Sequence, residues 1–531
     1  MQERNDLKLD KTVAVKKYIS IPAVLLMFIL SLAIISSSMT KPLAHDEEMY
    51  CTGGCLMAQG KMIYRDFSYI SQMPYHALLY SAVYKITDTT HYLLAGRLIS
   101  ASCDILVMII IFGIYRTIFK THIVTGTLLG IAAAIIYVFN PIVDYANGYA
   151  WNHDVVILCV MVSLWLFIIA DFRKKSSFRL IAAMGALLTL AACMRITTIL
   201  IVIIFFLMLL AVPANSFMLR IKRILSFLAS SFLVLIWPVW LIVNAPRAFY
   251  LNLVKASVLN GKWITQTGMG KFGFILASFS TPGYFVLAAS AIYLWLIFII
   301  LRRVLEVKDK SKVILSAILP IVFFIIAFVP PSVWTQYLAV PVPFVLTSLA
   351  IPFLYLCKKA SELSYRKYYK TAVFSIGISV LISVISYPVV LYGIPAIIAP
   401  ETWTPIRVHK ISLDIAKEIH ESGRVLTLAP LYAIEGGCDI YTELSCGPFF
   451  YRVADYLSPE ERQVAHVIGP NDISGLFSRK PPSAVITRVD MEVLEQPLIE
   501  SVTGLNWRKK EYESGPNAYF RIGSNWENRG R

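Results

Sequence analysis

The chain has 531 residues, of which 57% are hydrophobic and 15% charged, and its formal net charge is +16. A soluble domain carries about 25% charged residues, so a water-soluble enzyme, a disordered chain and a fibre are all excluded. The positive charge is no nucleic-acid footprint: residues 1–396 carry 34 Lys+Arg against 15 Asp+Glu, whereas 397–531 carry 15 against 18. The excess lies in the apolar part, where it sets orientation and meets anionic lipid, and no nucleic-acid partner is expected.

In chain order, a basic N-terminus (Arg4, Lys8, Lys11, Lys16, Lys17) precedes the apolar run Ile21–Ser36. It is like a signal peptide, but the run is long and further spans follow, which reads as an uncleaved first helix. Later apolar runs alternate with two kinds of loop. Short basic ones fall at Arg116–Lys120, Arg173–Arg179, Arg220–Arg223, Arg302–Lys312 and Lys358–Lys370; long, aromatic, less basic ones fall at 40–93, 141–153, 244–280 and 330–336. Lys and Arg collect on the cytoplasmic side. The alternation holds if the run 179–212, too long for one crossing, turns at Arg195. With about 20 residues per crossing, the count is about eleven spans, N-terminus inside and C-terminus outside.

After Pro395 and Pro400 the composition changes. Arg407–Glu421 has an amphipathic helix pattern, Arg424–Pro430 a buried-strand pattern, and Ala484–Thr487 and Ala518–Ile522 read as further strands. Ser458-Pro459-Glu460-Glu461 is a capping-box signature with Pro at the first helical position. Strands alternating with helices predict a small, mostly parallel sheet. The expected fold class is a polytopic α-helical membrane protein, residues 1–400, with a soluble extracytoplasmic α/β domain, 401–531.

The chemistry-bearing residues cluster beyond the first span. His45-Asp46-Glu47-Glu48-Met49-Tyr50 is followed by Gly60-Lys61-Met62-Ile63-Tyr64-Arg65-Asp66-Phe67 and by Gln72-Met73-Pro74. Three consecutive carboxylates fit a helix start, with Asp46 capping and Glu47 and Glu48 facing the positive dipole end; one can cap while another acts as a base. The second long loop carries Trp151-Asn152-His153-Asp154. Asp154 directly precedes an apolar run, where a carboxylate is either a helix cap or a functional group. Arg195 is isolated between apolar segments and either snorkels or meets an anion. No Gly-x-Ser-x-Gly, His-Glu-x-x-His or phosphate-loop motif is present. His45, Asp46, His153 and Asp154 leave a divalent metal open, although they lack ligand spacing. Cys438 and Cys446 could pair in an oxidising compartment.

Taken together, Asp46-Glu47-x-x-Tyr50, Gly60-x-x-x-Tyr64-Arg65-Asp66-Phe67, the Pro74 segment, Gly96-Arg97-Leu98, Trp151-Asn152-His153-Asp154, Gly185 with Arg195, and Gln336-Tyr337 leading to Pro341 and Pro343 resemble the bacterial GT-C glycosyltransferases. These are relatives of the protein O-mannosyltransferases and of the lipid A aminoarabinose transferase. Glu435-Gly436-Gly437 and Gly447-Pro448-Phe449 extend the likeness into the C-terminal domain. The resemblance implies transfer of a sugar from a polyprenyl-phosphate donor, with inversion, on the outer face of a bacterial cytoplasmic (inner) membrane. The acceptor would be a glycan, lipid or protein of the cell envelope. It carries the catalytic carboxylate onto Asp46, with Glu47 its neighbour, and the second-loop acid onto Asp154. Aminoarabinose transferases hold donor phosphate with a Lys-Pro-Pro; here the stretch reads Gln72-Met73-Pro74, so Arg65 and Arg195 are the phosphate candidates. Tyr50, Tyr64, His153, Gln336 and Tyr337 are the expected substrate contacts. No metal is chemically required, because the leaving phosphate is itself a stabilised anion. A lipid-linked sugar flippase and a surface-polysaccharide polymerase or ligase are the competing classes.

Overall fold

The computed structural model describes residues 2–266, 271–301, 309–330, 334–419, 423–503, 507–513 and 515–522. The side chains of the N-terminal basic cluster, and parts of the expected loops 302–312 and 330–336, lie outside the described residues. So does the end of the expected helix Arg407–Glu421.

Among the described residues, six helices are long and apolar enough to cross a membrane: Ile21–Thr40, Tyr92–Ile118, Phe217–Asn244, Pro282–Leu301, Thr335–Lys359 and Leu363–Ser386. Shorter apolar helices at Ile123–Val138, His153–Ile169, Ser177–Ala192 and Ile196–Ala211, with Lys310–Ile326, occupy the other expected crossings. Large apolar side chains are left outside, among them Ile300 at 75%, Phe374 at 68% and Phe232 at 68% exposure. In water each would oppose folding; in lipid each is solvated. The protein is a multi-pass helical membrane protein. The run 179–212 does break at Arg195, between Ser177–Ala192 and a 3-10 turn Ile196–Thr198.

The long loops are largely helical. In 40–93 the helices His45–Ala58 and Tyr75–Thr87 pack together. In 244–280 a continuous helical stretch runs Pro246–Tyr250, Leu251–Lys255 and Ala256–Gln266, the middle segment in π geometry. Such bulges frequently mark functional sites.

Residues 404–521 hold the helix Thr404–Glu418 and five strands. They are β1 (Arg424–Thr427), β2 (Asp439–Ile440), β3 (Ala484–Thr487), β4 (Trp507–Glu511) and β5 (Asn517–Arg521), ordered β2-β1-β3-β5-β4. The β1 strand pairs parallel with β2 and β3, while β5 pairs antiparallel with β3 and β4. The sheet is therefore mixed, not mostly parallel. The departure comes from the antiparallel pair β4 and β5, joined where the Tyr512 amide donates to the Pro516 carbonyl, and the edge strand Trp-Arg-Lys-Lys-Glu lacks the apolar run of a buried strand. The Ser458 capping box forms as expected, with the Glu461 amide donating to Ser458 Oγ (3.3 Å) and the Ser458 amide to Glu461 Oε2 (3.2 Å).

Candidate active site

The acidic helix start separates into three carboxylates with three fates. Glu47, not Asp46, satisfies the helix start: its Oε2 accepts from the Ala44 amide at 3.0 Å. The same carboxylate takes two hydrogen bonds from Arg97, Nε to Oε1 at 2.8 Å and Nη2 to Oε2 at 2.7 Å, and one from the Ala150 amide at 2.7 Å. Arg97 also donates to the carbonyls of Ser38, Lys41 and Pro42. Glu47 thus ties the end of the first span, the Tyr92–Ile118 helix and the 141–153 loop together, with no lone pair facing open space. Glu48 is buried, its Oε2 has no hydrogen-bond partner among the described residues, and burial raises its pKa well above the usual range, helped by Asp490, Glu47 and Glu495.

Asp46 faces a cavity different from the smaller one, about 280 Å³, that Glu48 lines with His45, Arg407 and Arg488. The Asp46 cavity measures about 390 Å³ and is lined by Asp46 and His45 with Gln72, Tyr149, Trp151, Gln336, Tyr337, Phe449 and Arg452 among others. Burial raises the Asp46 pKa to about 6 from 3.8; His45, Arg452 and Arg195 oppose the rise and Glu47 adds to it. A carboxylate with a pKa near neutrality is still ionised at pH 7 and holds a captured proton better than an ordinary one, which suits a general base.

His153 and Asp154 of the second loop do not line that cavity. Asp154 is fully buried and accepts from the Gly148 amide at 2.8 Å. Gly148 has φ +79, and its carbonyl takes the Ser38 hydroxyl at 2.5 Å. Asp154 is not the helix cap either; the Asn152 position precedes the helix. The acid instead pins the turn that delivers Tyr149 and Trp151 to the cavity wall. His153 is buried, and its Nε2 has no hydrogen-bond partner among the described residues.

The remaining expected residues divide. Gln336 and Tyr337 line the cavity. Arg195 lies over the Tyr337 ring at 4.7 Å and opens on an adjoining crevice with Val156, Thr198, Phe323 and Val340. Tyr50 sits behind Asp46, edge-on to Tyr69 and His76. Tyr64 is fully buried and donates to the Gln72 carbonyl at 2.7 Å, holding a wall residue without facing the cavity. Arg65 does not line the cavity. It is 57% exposed, and its guanidinium is bidentate to Asp66, both bonds 2.8 Å.

Sequence reasoning missed the far wall. The helical stretch from Pro246 to Gln266 acts as a hub. Asn252 Oδ1 accepts from the Tyr69 amide (2.8 Å), its carbonyl accepts from the Ser71 amide (2.9 Å), and Lys255 reaches Glu461 (2.5 Å). Arg452 lines the cavity from the C-terminal part, its Nε bonded to Asn260 Oδ1 at 2.8 Å. The one available signal was an arginine beside the Gly447-Pro448-Phe449 motif. Among the described residues no cluster of three or more His, Cys, Asp or Glu could hold a metal, so His45, Asp46, His153 and Asp154 do not converge into one. Cys438 and Cys446 are both free thiols; Cys446 Sγ accepts from Ser68 Oγ and the Ile70 amide, each at 3.3 Å.

No protein-family model matches the chain, and no curated protein does. Solved structures do. The chain is similar to ArnT from Cupriavidus metallidurans bound to undecaprenyl phosphate, at 14% identity and TM-score 0.60, covering 94% of this chain and 98% of that one. The apo state of the same protein gives 13% identity and TM-score 0.56 over 97% and 98%. Archaeal oligosaccharyltransferase AglB from Archaeoglobus fulgidus, in complex with an inhibitory peptide and a dolichol-phosphate, gives 12% identity and TM-score 0.50 over 96% and 75%. The chain therefore shares the fold of these proteins over nearly its whole length.

Proposed function

We propose that the protein transfers a sugar from a polyprenyl-phosphate donor to an acceptor hydroxyl on the outer face of the cytoplasmic membrane. Asp46 is the general base. The acceptor oxygen attacks the anomeric carbon from the face opposite the phosphate, and a new C1–O bond forms as the C1–O(phosphate) bond breaks. The leaving phosphate takes the bonding electron pair, and the acceptor proton passes to Asp46. Backside attack inverts the anomeric centre. The observation that carries this reading is Asp46 itself, whose pKa of about 6 opens into a cavity lined by aromatics, Gln336 and a guanidinium.

The likeness to ArnT, solved with undecaprenyl phosphate, supports the donor type. Tyr149, Trp151 and Tyr337 offer ring faces on which a sugar can stack, and Gln72 and Gln336 offer amides for its hydroxyls. Glu47 and Asp154 are positioning residues: Glu47 locks the base-bearing helix to the second loop, and Asp154 fixes that loop. Arg195, braced on Tyr337, neutralises donor phosphate from the adjoining crevice. The 401–531 domain lies outside the membrane and closes the cavity. The test is incubation of purified protein with radiolabelled polyprenyl-phosphate sugars and envelope acceptors. Sugar transfer is expected; cytosolic labelling of cysteines placed at His45–Tyr50 would overturn the orientation.

A further inference from the structure

Arg195 meets the donor phosphate from the adjoining crevice, and the leaving oxygen beside the base sets a second requirement. When the C1–O bond breaks, a phosphodiester with one negative charge becomes a monoester that approaches two. A cation facing that oxygen contributes more in the transition state than in the ground state. It must line the same cavity as the base. Arg65 is paired with Asp66 and exposed, and Arg195 opens on the adjoining crevice. The guanidinium that lines the Asp46 cavity is Arg452, on the helix Pro448–Ala454.

Its surroundings hold it rigidly. Nε donates to Asn260 Oδ1, and Asn260 is itself fixed because its Nδ2 donates to the carbonyls of Phe449 (3.0 Å) and Ala256 (3.1 Å). The guanidinium lies 4.4 Å from the Trp263 ring centre and 5.3 Å from that of Phe449. Burial lowers its pKa to about 10, with Asp490 and Asp46 acting in the opposite direction, so the group stays charged at neutral pH. Its inner edge is consumed by Asn260. The outer Nη1/Nη2 edge has no hydrogen bond among the described residues, and it is the edge that matches two phosphate oxygens side by side.

We propose that Arg452, clamped by Asn260, Trp263 and Phe449, grips the donor phosphate and stabilises it as it leaves, so that the C-terminal domain completes the active site. This rests on the transferase reading above. A phosphate on the acceptor has the same chemistry, and the experiment separates the two sources.

The measurement is binding of radiolabelled undecaprenyl phosphate, in detergent micelles, to the purified full-length protein. Arg452→Met, which keeps an apolar stem against Trp263, should weaken binding by about tenfold or more. Arg452→Lys should fall between, and the affinity for undecaprenol should be unchanged. A methyl diester of undecaprenyl phosphate, with one charge fewer, should lose less than the monoester. Wild-type affinity in Arg452→Met overturns the proposal. Displacement of undecaprenyl phosphate by glycerol phosphate at equal concentration also overturns it, since the group would then serve a soluble phosphate. If Arg452→Met does not fold, Asn260→Ala leaves the guanidinium in place but unclamped. The donor KM should then rise several-fold, with binding of undecaprenol unaltered, and an unchanged KM overturns the proposal. Normal binding by Arg452→Met beside an inactive Asp46→Asn removes the grip but keeps the transferase. Lost binding beside a fully active Asp46→Asn removes the base but keeps the grip.

Discussion

Arg97 and Glu47 form a bidentate pair with both side chains wholly buried, the two bonds 2.8 and 2.7 Å long. Neither group sees water, so removing one strands the other's charge. Such losses cost about 3–5 kcal/mol. Glu47→Ala and Arg97→Ala should each lower the thermal unfolding temperature sharply in detergent, and the double variant should be less destabilised than the sum of the two. A Glu47→Gln protein that unfolds like the wild type yet has lost turnover would move Glu47 into the chemistry.

Asp154 tests the same distinction from the second loop. Its Oδ2 accepts from the Gly148 amide, a bond that an asparagine carbonyl can also accept. Asp154→Asn should keep turnover within about tenfold of wild type, whereas Asp154→Ala should destabilise the fold. At Gly148, with φ +79, an added Cβ would lie 2.9 Å from Ser38 Cβ. Gly148→Ala should therefore cost about 1–3 kcal/mol and disturb Tyr149 and Trp151. Steady-state rates alongside unfolding curves separate the two effects.

Arg195 stacks on Tyr337 at 4.7 Å. A planar guanidinium makes that contact and meets phosphate at the same time; an ammonium does neither as well. Arg195→Ala should raise the donor KM more than the acceptor KM, and Arg195→Lys should recover little of it. Equal effects on both substrates would remove the donor-side role.

Asp46 should also limit stability. Its folded pKa of about 6 lies above its ordinary value of 3.8, so between those values the folded state holds more protons than the unfolded one. Stability from this group is full below about 4 and falls as pH rises toward 6. Asp46→Asn removes the buried charge and should raise the unfolding temperature at pH 7.5, with the gain vanishing near pH 4. A gain that persisted at pH 4 would contradict the raised pKa.

Much of this was legible in the sequence, for physical reasons that differ by element. Apolar runs announce spans because lipid leaves the backbone no other partner, and Arg195 showed where one run had to turn. Asp46 stood out among its neighbours by resemblance alone. The residues could not say that Glu47 would take the helix-start role or that Arg65 would turn away onto Asp66, because both depend on which cation arrives from elsewhere. Arg97 lies 50 residues from Glu47 and Arg452 lies 192 from Asn260, separations at which sequence spacing carries no signal. The β4 strand was invisible because its charges suit an edge, not a core.

The most direct measurement is the rate of sugar transfer by purified wild type and Asp46→Asn across pH 5–8, with folding checked by thermal unfolding. The wild-type rate should rise with pH through about 6 and then level. The folded Asp46→Asn protein should bind undecaprenyl phosphate but transfer no sugar at any pH. Near-normal turnover by that variant would contradict the assignment of Asp46 as the base.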